Sequence, residues 1–157
     1  MNARASKAEP IILTDRREQN PLTFLHSEPV TLTTGDYSIR TADRDYRDLI
    51  SVERKSLPDL FGCVGQQRER FERCLERLAT YPYCAIVVEA TFADILSGAR
   101  HSQVHPNSAI GSLVAWSTRY RLPIWLAGNR EHAAMVVTKI LHNAVKYHDA
   151  GEGEAAR

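Results

Sequence analysis

The chain has 157 residues and a mass of 17.7 kDa, which suits one domain with a full hydrophobic core. Hydrophobic residues make up 43% and charged residues 25%, and the net charge of +1 indicates no strongly basic surface overall. No apolar run approaches the roughly 20 residues of a membrane helix, and the amino-terminus lacks the apolar core of a secretion signal. We therefore expect a cytoplasmic protein without a membrane partner.

The first third of the chain predicts strands. Apolar runs bounded by turn residues indicate strands over residues 10–15, 35–40 and 48–55. Residues 16–34 contain two prolines and several threonines, which favours a loop with a short edge strand. The second and third strands follow each other closely, so we expect them to pair as a hairpin. Residues 1–9 are polar and predict disorder.

Helices and strands alternate in the rest of the chain. Ser56 is predicted to begin a long helix, because Pro58 suits a first turn and Ser56 and Asp59 have the spacing of a capping box. Residues 84–90 form a continuous apolar run, typical of a central strand buried on both faces. Further predicted elements are a loop over 97–108, a helix from Asn107 or Ser108 to about Tyr120, a strand over 123–128, a helix from Asn129 to about His148 and a disordered tail over 149–157.

This order of elements predicts the fold class. Strands come first and are followed by helix, strand, helix, strand and helix, which favours an α/β sandwich with a mixed central sheet and helices on both faces. We expect one domain over residues 10–148.

Charged residues interrupt the strand over 48–55. Side chains two positions apart on a strand share a face, so Glu53 and Lys55 project together while Arg54 points the other way. Pairing of the hairpin would bring Asp36 close to Glu53, and Asp15 could join them from the first strand. Carboxylates at strand ends beside a lysine are typical of metal-dependent phosphodiester cleavage.

Four segments resemble the nuclease domain of XPF-type structure-specific DNA endonucleases: "TDRRE", "GDYSI", "VERKSLPDL" and "QQRERFERCLERL". The family motif is Gly-Asp, a gap, Glu-Arg-Lys, three residues and Asp. It is present here as Gly35-Asp36, Glu53-Arg54-Lys55 and Asp59. The resemblance extends over roughly residues 10–147. It implies a restriction-endonuclease-like three-layer sandwich that cuts one strand of branched, flap or fork DNA with Mg²⁺ or Mn²⁺.

The resemblance also implies roles for individual residues. Asp36, Glu53 and the backbone carbonyl of Arg54 would bind the metal ion, and Lys55 would position or activate the attacking water. Asp15, Glu18, Asp59 and Arg70 would complete the catalytic site, and Arg17, Arg54, Arg68, Arg70 and Arg73 would contact DNA. The protein would be a homodimer through its carboxy-terminal helices and would associate with the nucleoid of a bacterial or phage-like system.

Several of these residues have simpler interpretations. Asp59 has an ordinary role in the capping box, and Glu18 could be a surface acid in a turn. His101 and His105 form a weak metal pattern, so contact with solvent or DNA is favoured. We expect Trp116 and Trp125 to pack in the core. The three cysteines have neither metal-site nor disulfide spacing.

Two other functions are compatible with the sequence. The chain could be a non-catalytic DNA-binding or scaffolding partner, although such members of the family lose the motif residues, which are present here. It could also be a catalytic module that depends on a separate DNA-binding partner. We expect no helix–hairpin–helix module, since none follows residue 148 in this sequence.

Overall fold

The computed structural model describes residues 8–155, so the disorder predicted for residues 1–7 lies outside the described part. The strands are β1 (Ile11–Asp15), β2 (Ser27–Val30), β3 (Tyr37–Arg40), β4 (Ile50–Ser56), β5 (Tyr83–Glu89) and β6 (Ile124–Leu126). The helices are α1 (Leu57–Val64), α2 (Arg68–Leu78), α3 (Phe92–Ser97), α4 (Pro106–Tyr120) and α5 (Arg130–Ala155). The predicted strands are all present.

The six strands form one mixed sheet in the order β2-β1-β3-β4-β5-β6. β1 pairs antiparallel with β3, and β3 pairs antiparallel with β4, which confirms the predicted hairpin. The β1–β2, β4–β5 and β5–β6 pairs are parallel. The strand that carries Glu53 and Lys55 therefore lies inside the sheet, where its position is held on both sides.

Each face of the sheet is covered by its own apolar cluster. α1, α2 and α4 pack on one face, where Phe61, Phe71 and Trp116 are buried. α5 packs on the opposite face through Val137 and Leu141. The central strand β5 contributes to both clusters, since Ile86 and Val88 belong to the first and Val87 to the second. The predicted three-layer α/β sandwich is confirmed.

The helix predicted from Ser56 is divided into α1 and α2. Gly65 ends α1, and a Cβ atom at this position would lie 3.0 Å from Cγ2 of Val104. The glycine therefore allows the loop before α4 to approach the junction of the two helices. This close contact is tertiary, which is why the helical spacing of the apolar residues did not reveal the break.

Two further helical features differ from the prediction, and one agrees with it. The short helix α3 was not predicted: it precedes the predicted loop and overlaps it at Ser97 alone, and Thr91 and Asp94 form its capping box. α4 begins at Pro106 with His105 as its N-cap, ahead of the predicted Asn107 or Ser108. The capping role predicted for Asn129 is confirmed, because its Oδ1 accepts a hydrogen bond of 2.8 Å from the His132 N–H.

The last helix is longer than predicted. α5 continues through Ala155, so the disorder predicted for residues 149–155 is wrong; residues 156–157 lie outside the described part. Contacts with the β3–β4 connection hold this end of the helix. Asp149 accepts a 2.7 Å hydrogen bond from the Tyr46 hydroxyl, and Arg44 pairs with Glu152 at 2.7 Å.

Two predictions about exposure can be compared with the structure. Trp116 is 1% exposed, as expected of a core residue, whereas Trp125 on the edge strand β6 is 52% exposed. The predicted packing of Trp125 is therefore wrong, because β6 has a neighbour on one side only. Within residues 8–155, no helix is both long enough and apolar enough to cross a membrane.

Candidate active site

Asp36 and Glu53 lie opposite each other on neighbouring strands. Tyr37 pairs with Val52 in the antiparallel ladder, so one step further along the register places Asp36 beside Glu53 on the same face. The Arg54 N–H donates a 2.7 Å hydrogen bond to Oδ2 of Asp36, which fixes that carboxylate. The proximity expected from the hairpin is confirmed.

Gly35 makes this arrangement possible. Its φ of +78° is in a region that L side chains rarely adopt, and a Cβ atom there would overlap Oγ of Ser51. The turn brings the Asp36 N–H to 2.9 Å from the Val52 carbonyl oxygen. Glycine is therefore required at position 35 for the backbone to bring Asp36 against β4.

Lys55 forms an ion pair with Glu53. Its Nζ lies 2.5 Å from Oε1 of Glu53 and 5.0 Å from the centre of the Phe71 ring. Burial lowers the pKa of Lys55, but the charge of Glu53 and its hydrogen bond outweigh this effect and raise the pKa above its ordinary value. Lys55 is therefore a protonated cation at neutral pH.

The carboxyl group of Asp36 has a raised pKa. Burial is the main cause and the nearby charge of Glu53 is the next, while the Arg54 N–H and the charge of Lys55 oppose the shift. Two carboxylates thus share a face with one ammonium group. A positive charge added between them would relieve this repulsion.

The oxygen atoms at this point suit a hard divalent cation. Asp36 and Glu53 supply carboxylates. In an extended strand the N–H and C=O of one residue point to the same side, so the Arg54 carbonyl is directed towards Asp36 as its N–H is. Among residues 8–155, no third acid, histidine or cysteine completes a compact group of three with this pair. Water and a phosphate oxygen would have to fill the remaining positions.

The side chain of Arg54 lies on the opposite face of β4. It is 8% exposed, and its Nε donates a 2.7 Å hydrogen bond to Oε1 of Glu89. Its Nη1 lies 3.6 Å from Oε1 of Glu18. The predicted DNA contact of this side chain is wrong, because the guanidinium is buried and paired. Glu18 belongs to this network, and its charge also contributes to the raised pKa of Asp36, so a catalytic contribution of Glu18 stays a prediction.

Asp15 has a mainly structural set of contacts. Its N–H donates to the Asp36 carbonyl at 2.8 Å, so it lies next to the site as expected. Its carboxylate accepts hydrogen bonds from the N–H and guanidinium of Arg17 at 2.8–3.0 Å and from the Leu32 N–H at 2.7 Å. Burial raises the pKa of Asp15, but these hydrogen bonds outweigh it and the pKa is lowered. Asp15 and Arg17 thus fasten the loop before β3.

Ser56 caps α1, and Asp59 lies in the first turn of that helix. Its N–H donates a 3.3 Å hydrogen bond to Oγ of Ser56, and the Ser56 hydroxyl donates to Oδ2 of Asp59 at 2.8 Å. The capping role predicted for this pair is confirmed. A catalytic contribution of Asp59 stays a prediction.

A cavity of about 230 Å³ opens beside Glu53 and Lys55. Arg70 lines it, in agreement with its predicted place at the site. From the sequence, Arg77 was only a possible phosphate contact, and the two cysteines had no predicted role at the site. The lining residues are Glu53, Lys55, Cys63, Gln67, Arg70, Phe71, Cys74 and Arg77. Those on α2 recur every three or four positions, and this helical spacing is the signal that could have grouped them.

The cysteines in this cavity are protonated thiols. Sγ of Cys74 lies 4.0 Å from Oε2 of Glu53, and burial raises the pKa of Cys63 and of Cys74 to about 11 each. They therefore add little negative charge next to Glu53.

The remaining arginines of α2 differ in their availability. Arg68 is directed towards α4, where its Nη1 donates to Oγ of Ser112 at 2.8 Å and its Nε lies 3.0 Å from Glu72. These contacts engage part of the guanidinium, which stays 42% exposed, so the DNA contact predicted for Arg68 stays a prediction. Arg73 is 62% exposed, and its closest acid, Glu69, is 4.0 Å away. Contact of Arg73 with DNA stays a prediction.

Comparisons with known proteins place this geometry in context. The family model described as the ERCC4 domain matches residues 14–140. XPF from Aeropyrum pernix is 21% identical with a TM-score of 0.67, and the match covers 85% of this chain and 61% of that one. XPF from Aeropyrum pernix in complex with DNA is 22% identical with a TM-score of 0.67, over 88% of this chain and 66% of that one.

The chain thus spans 61% and 66% of the two solved chains. At this level of identity the likeness shows a shared fold. The comparison with curated proteins gave no match.

Substitution of Asp36 by Asn should stabilise the protein in EDTA at pH 8. The pKa of Asp36 is higher in the folded chain than in the unfolded chain, so the wild type loses stability as the pH rises through about 7. Asn removes the charge and can still accept the Arg54 N–H. We expect the substitution to increase the free energy of unfolding more at pH 8 than at pH 5, by on the order of 1–3 kcal/mol, measured by urea unfolding. Asp45→Asn, which loses a surface ion pair, should show no such gain, and equal effects at both pH values would contradict the prediction.

Substitution of Glu89 by Gln should destabilise the protein by about 1.5–3 kcal/mol. It leaves the buried Arg54 with Glu18 as its one remaining acid, at 3.6 Å. The control is Glu28→Gln, which removes the 2.8 Å ion pair between Glu28 and Arg40 at the surface. It should change the urea midpoint little. Equal effects of the two substitutions would show that the Arg54 network is unimportant for folding.

Proposed function

Since this chain belongs to the ERCC4 domain family, we propose that it is a divalent-metal-dependent DNA endonuclease that hydrolyses a phosphodiester bond in branched, flap or fork DNA. The family match and the shared fold confirm the resemblance to XPF-type nuclease domains that the sequence motifs indicated. The activity, the metal and the form of the DNA belong to the proposal.

One observation supports this function above all others. Asp36 and Glu53 lie opposite each other, and Lys55 pairs with Glu53 on the same face. Neither a surface ion pair nor a helix cap would explain why two acids are brought together with partial burial. Nuclease-dead relatives would lose these residues, so the scaffold alternative is disfavoured by their presence.

The residues have separate tasks in the proposed reaction. Asp36, Glu53 and the Arg54 carbonyl would hold Mg²⁺ or Mn²⁺. Bound there, such an ion supplies charge neutralisation at the phosphate and a lower pKa for a coordinated water. Lys55 is protonated, so it orients the attacking water or stabilises an oxygen of the phosphate by donating a hydrogen bond.

The cavity next to Lys55 supports the binding of a phosphate backbone. Arg70 and Arg77 line it and are both exposed, so their guanidinium groups can meet phosphate oxygens. The solved chain named as a DNA complex shows that a protein of this fold binds DNA. We propose that DNA lies along α2 in this chain.

We also propose that the protein forms a homodimer through its carboxy-terminal part. An apolar groove of about 630 Å³ runs between α5 and the strands β5 and β6. Trp125 and Tyr147 line it and are 52% and 61% exposed. Exposed aromatic residues at an edge strand are typical of an interface. The family resemblance supports a second copy of this chain as the partner.

Lys55→Ala and Glu53→Ala should each reduce metal-dependent cleavage by at least about 10²-fold, because each removes a charge next to the scissile phosphate. Cleavage of labelled fork, flap and Holliday-junction DNA is measured in Mg²⁺, Mn²⁺ and EDTA. Lys146→Ala, at an exposed position of α5, is the control and should keep wild-type activity. No metal-dependent cutting by the wild type on any substrate would reject the enzyme, and cutting that survives Lys55→Ala would reject this site.

The homodimer predicts a concentration-dependent mass in light scattering. Trp125→Glu should shift the protein to the monomer, because a charge at the centre of an apolar interface is costly to bury. Leu25→Glu changes a residue that is 90% exposed and lies outside the groove, and it should leave the mass unchanged. A wild-type monomer at both low and high concentration would contradict the dimer.

A further inference from the structure

A second groove lies directly beside the candidate active site. It has a volume of about 310 Å³ and lies between the junction of α1 and α2 and the loop of residues 99–104. Gln67 lines both this groove and the cavity next to Lys55, so the two are neighbours. We call it the loop groove.

The loop wall of this groove is held in a defined conformation. His101 has a φ of +62°, which is uncommon for a residue other than glycine. The Val104 N–H donates a 3.1 Å hydrogen bond to Oγ of Ser102, and the absence of a side chain at Gly65 lets Val104 pack against α1. These constraints leave Arg100 and His101 exposed at the groove.

The chemistry of the groove favours a nucleotide. Gln66, Gln67 and Gln103 line it and offer both hydrogen-bond donors and acceptors. Arg100 adds a positive charge. Among residues 8–155, no acidic group lies within 4.0 Å of Arg100.

The surrounding charges agree with this assignment. No acidic residue occurs between Asp94 and Glu131, a stretch that contains the loop wall and all of α4. On the helix side, the carboxylate of Asp59 is held by the Ser56 hydroxyl, and that of Glu69 lies 4.0 Å from Arg73. A phosphate at Arg100 would therefore meet little repulsion from its own side of the groove.

We propose that the loop groove binds one unpaired nucleotide of the DNA strand that continues from the scissile phosphate. This inference rests on the proposed nuclease function. The phosphate of this nucleotide contacts Arg100, and its base is bound by the glutamine amides. A volume of about 310 Å³ is at the lower end of the range of small-ligand sites, about 300–1,000 Å³, so the groove admits a single nucleotide and excludes a duplex.

The assignment explains how the site could distinguish a branched DNA. Paired bases in a duplex cannot turn outward without a cost in stacking and pairing, whereas bases of a single-stranded arm can. Amide side chains donate and accept, so they bind any base and require no particular sequence. The groove therefore selects for an unpaired arm next to the cut.

The test combines a substitution with a shortened DNA arm. Binding of fluorescent fork DNA is measured by anisotropy in EDTA, so that cleavage does not interfere, for the wild type, Arg100→Ala and Gln103→Ala. We expect each substitution to weaken binding of a fork with a full single-stranded arm about 3- to 10-fold, and Arg100→Ala to reduce the salt slope by about 1. Each arm of the fork is trimmed back to the junction in turn, to identify the arm that enters the groove. Neither substitution should weaken binding of the fork that lacks this arm.

Arg47→Ala is the matched control, since Arg47 is partly exposed in the β3–β4 connection and pairs with Asp45. It should have no effect on either DNA. Equal weakening of full and trimmed forks by Arg100→Ala, or no weakening of either, would overturn the proposal. Melting temperatures of all variants exclude misfolding.

The two proposals can fail separately. An arm-dependent effect of Arg100 without metal-dependent cleavage would support the loop groove and reject the nuclease. Conversely, the wild type could cleave normally and Lys55→Ala could lose cleavage, while Arg100→Ala weakens binding of full and trimmed forks equally. This result would support the nuclease and reject the loop groove.

Discussion

The antiparallel pairing of β3 with β4 is the interaction on which the site depends. It places Asp36 opposite Glu53, and the turn at Gly35 leaves no space for any other residue there. Both acids are partly removed from water, so their repulsion has to be offset within the protein. Lys55 supplies part of that charge at 2.5 Å from Glu53. The residual negative charge is what makes the site suited to a divalent cation.

Side chains of β4 point alternately to the two faces of the sheet, and this alternation connects the site to the rest of the fold. Glu53 and Lys55 point towards α1 and α2, while Arg54 points towards Glu89 on the opposite face. Arg130, at the start of α5, lies 3.9 Å from the same glutamate and donates a 3.1 Å hydrogen bond to the Asn20 carbonyl. One strand therefore carries the residues of the candidate site on one face and joins two layers of the sandwich on the other. This dual use explains why Glu-Arg-Lys occurs as an uninterrupted run of charges in a buried strand.

A feature could be predicted from the sequence when the interactions behind it join residues that are close along the chain. Strand period and hairpin pairing are local, so the juxtaposition of Asp36, Glu53 and Lys55 could be derived from the sequence. The break after Gly65 and the exposure of Trp125 depend on Val104 and on the position of β6 at the sheet edge, which no local pattern encodes. Predictions for arginines were the least successful, because a guanidinium is equally suited to a phosphate and to an acid of the same protein.

The sequence by itself determined the order of the strands, the mixed sheet and the face shared by Glu53 and Lys55, since these follow from the apolar pattern, the order of elements along the chain and the two-residue period of a strand. Tertiary structure decided which charges are free. Arg68 is occupied by α4, whereas Arg70 and Arg77 remain at the cavity. It also decided that the loop of residues 99–104 stands beside the site, because that contact joins segments more than thirty residues apart. Charge pairing and loop packing between distant segments are set by the assembled layers, and a linear pattern cannot specify them.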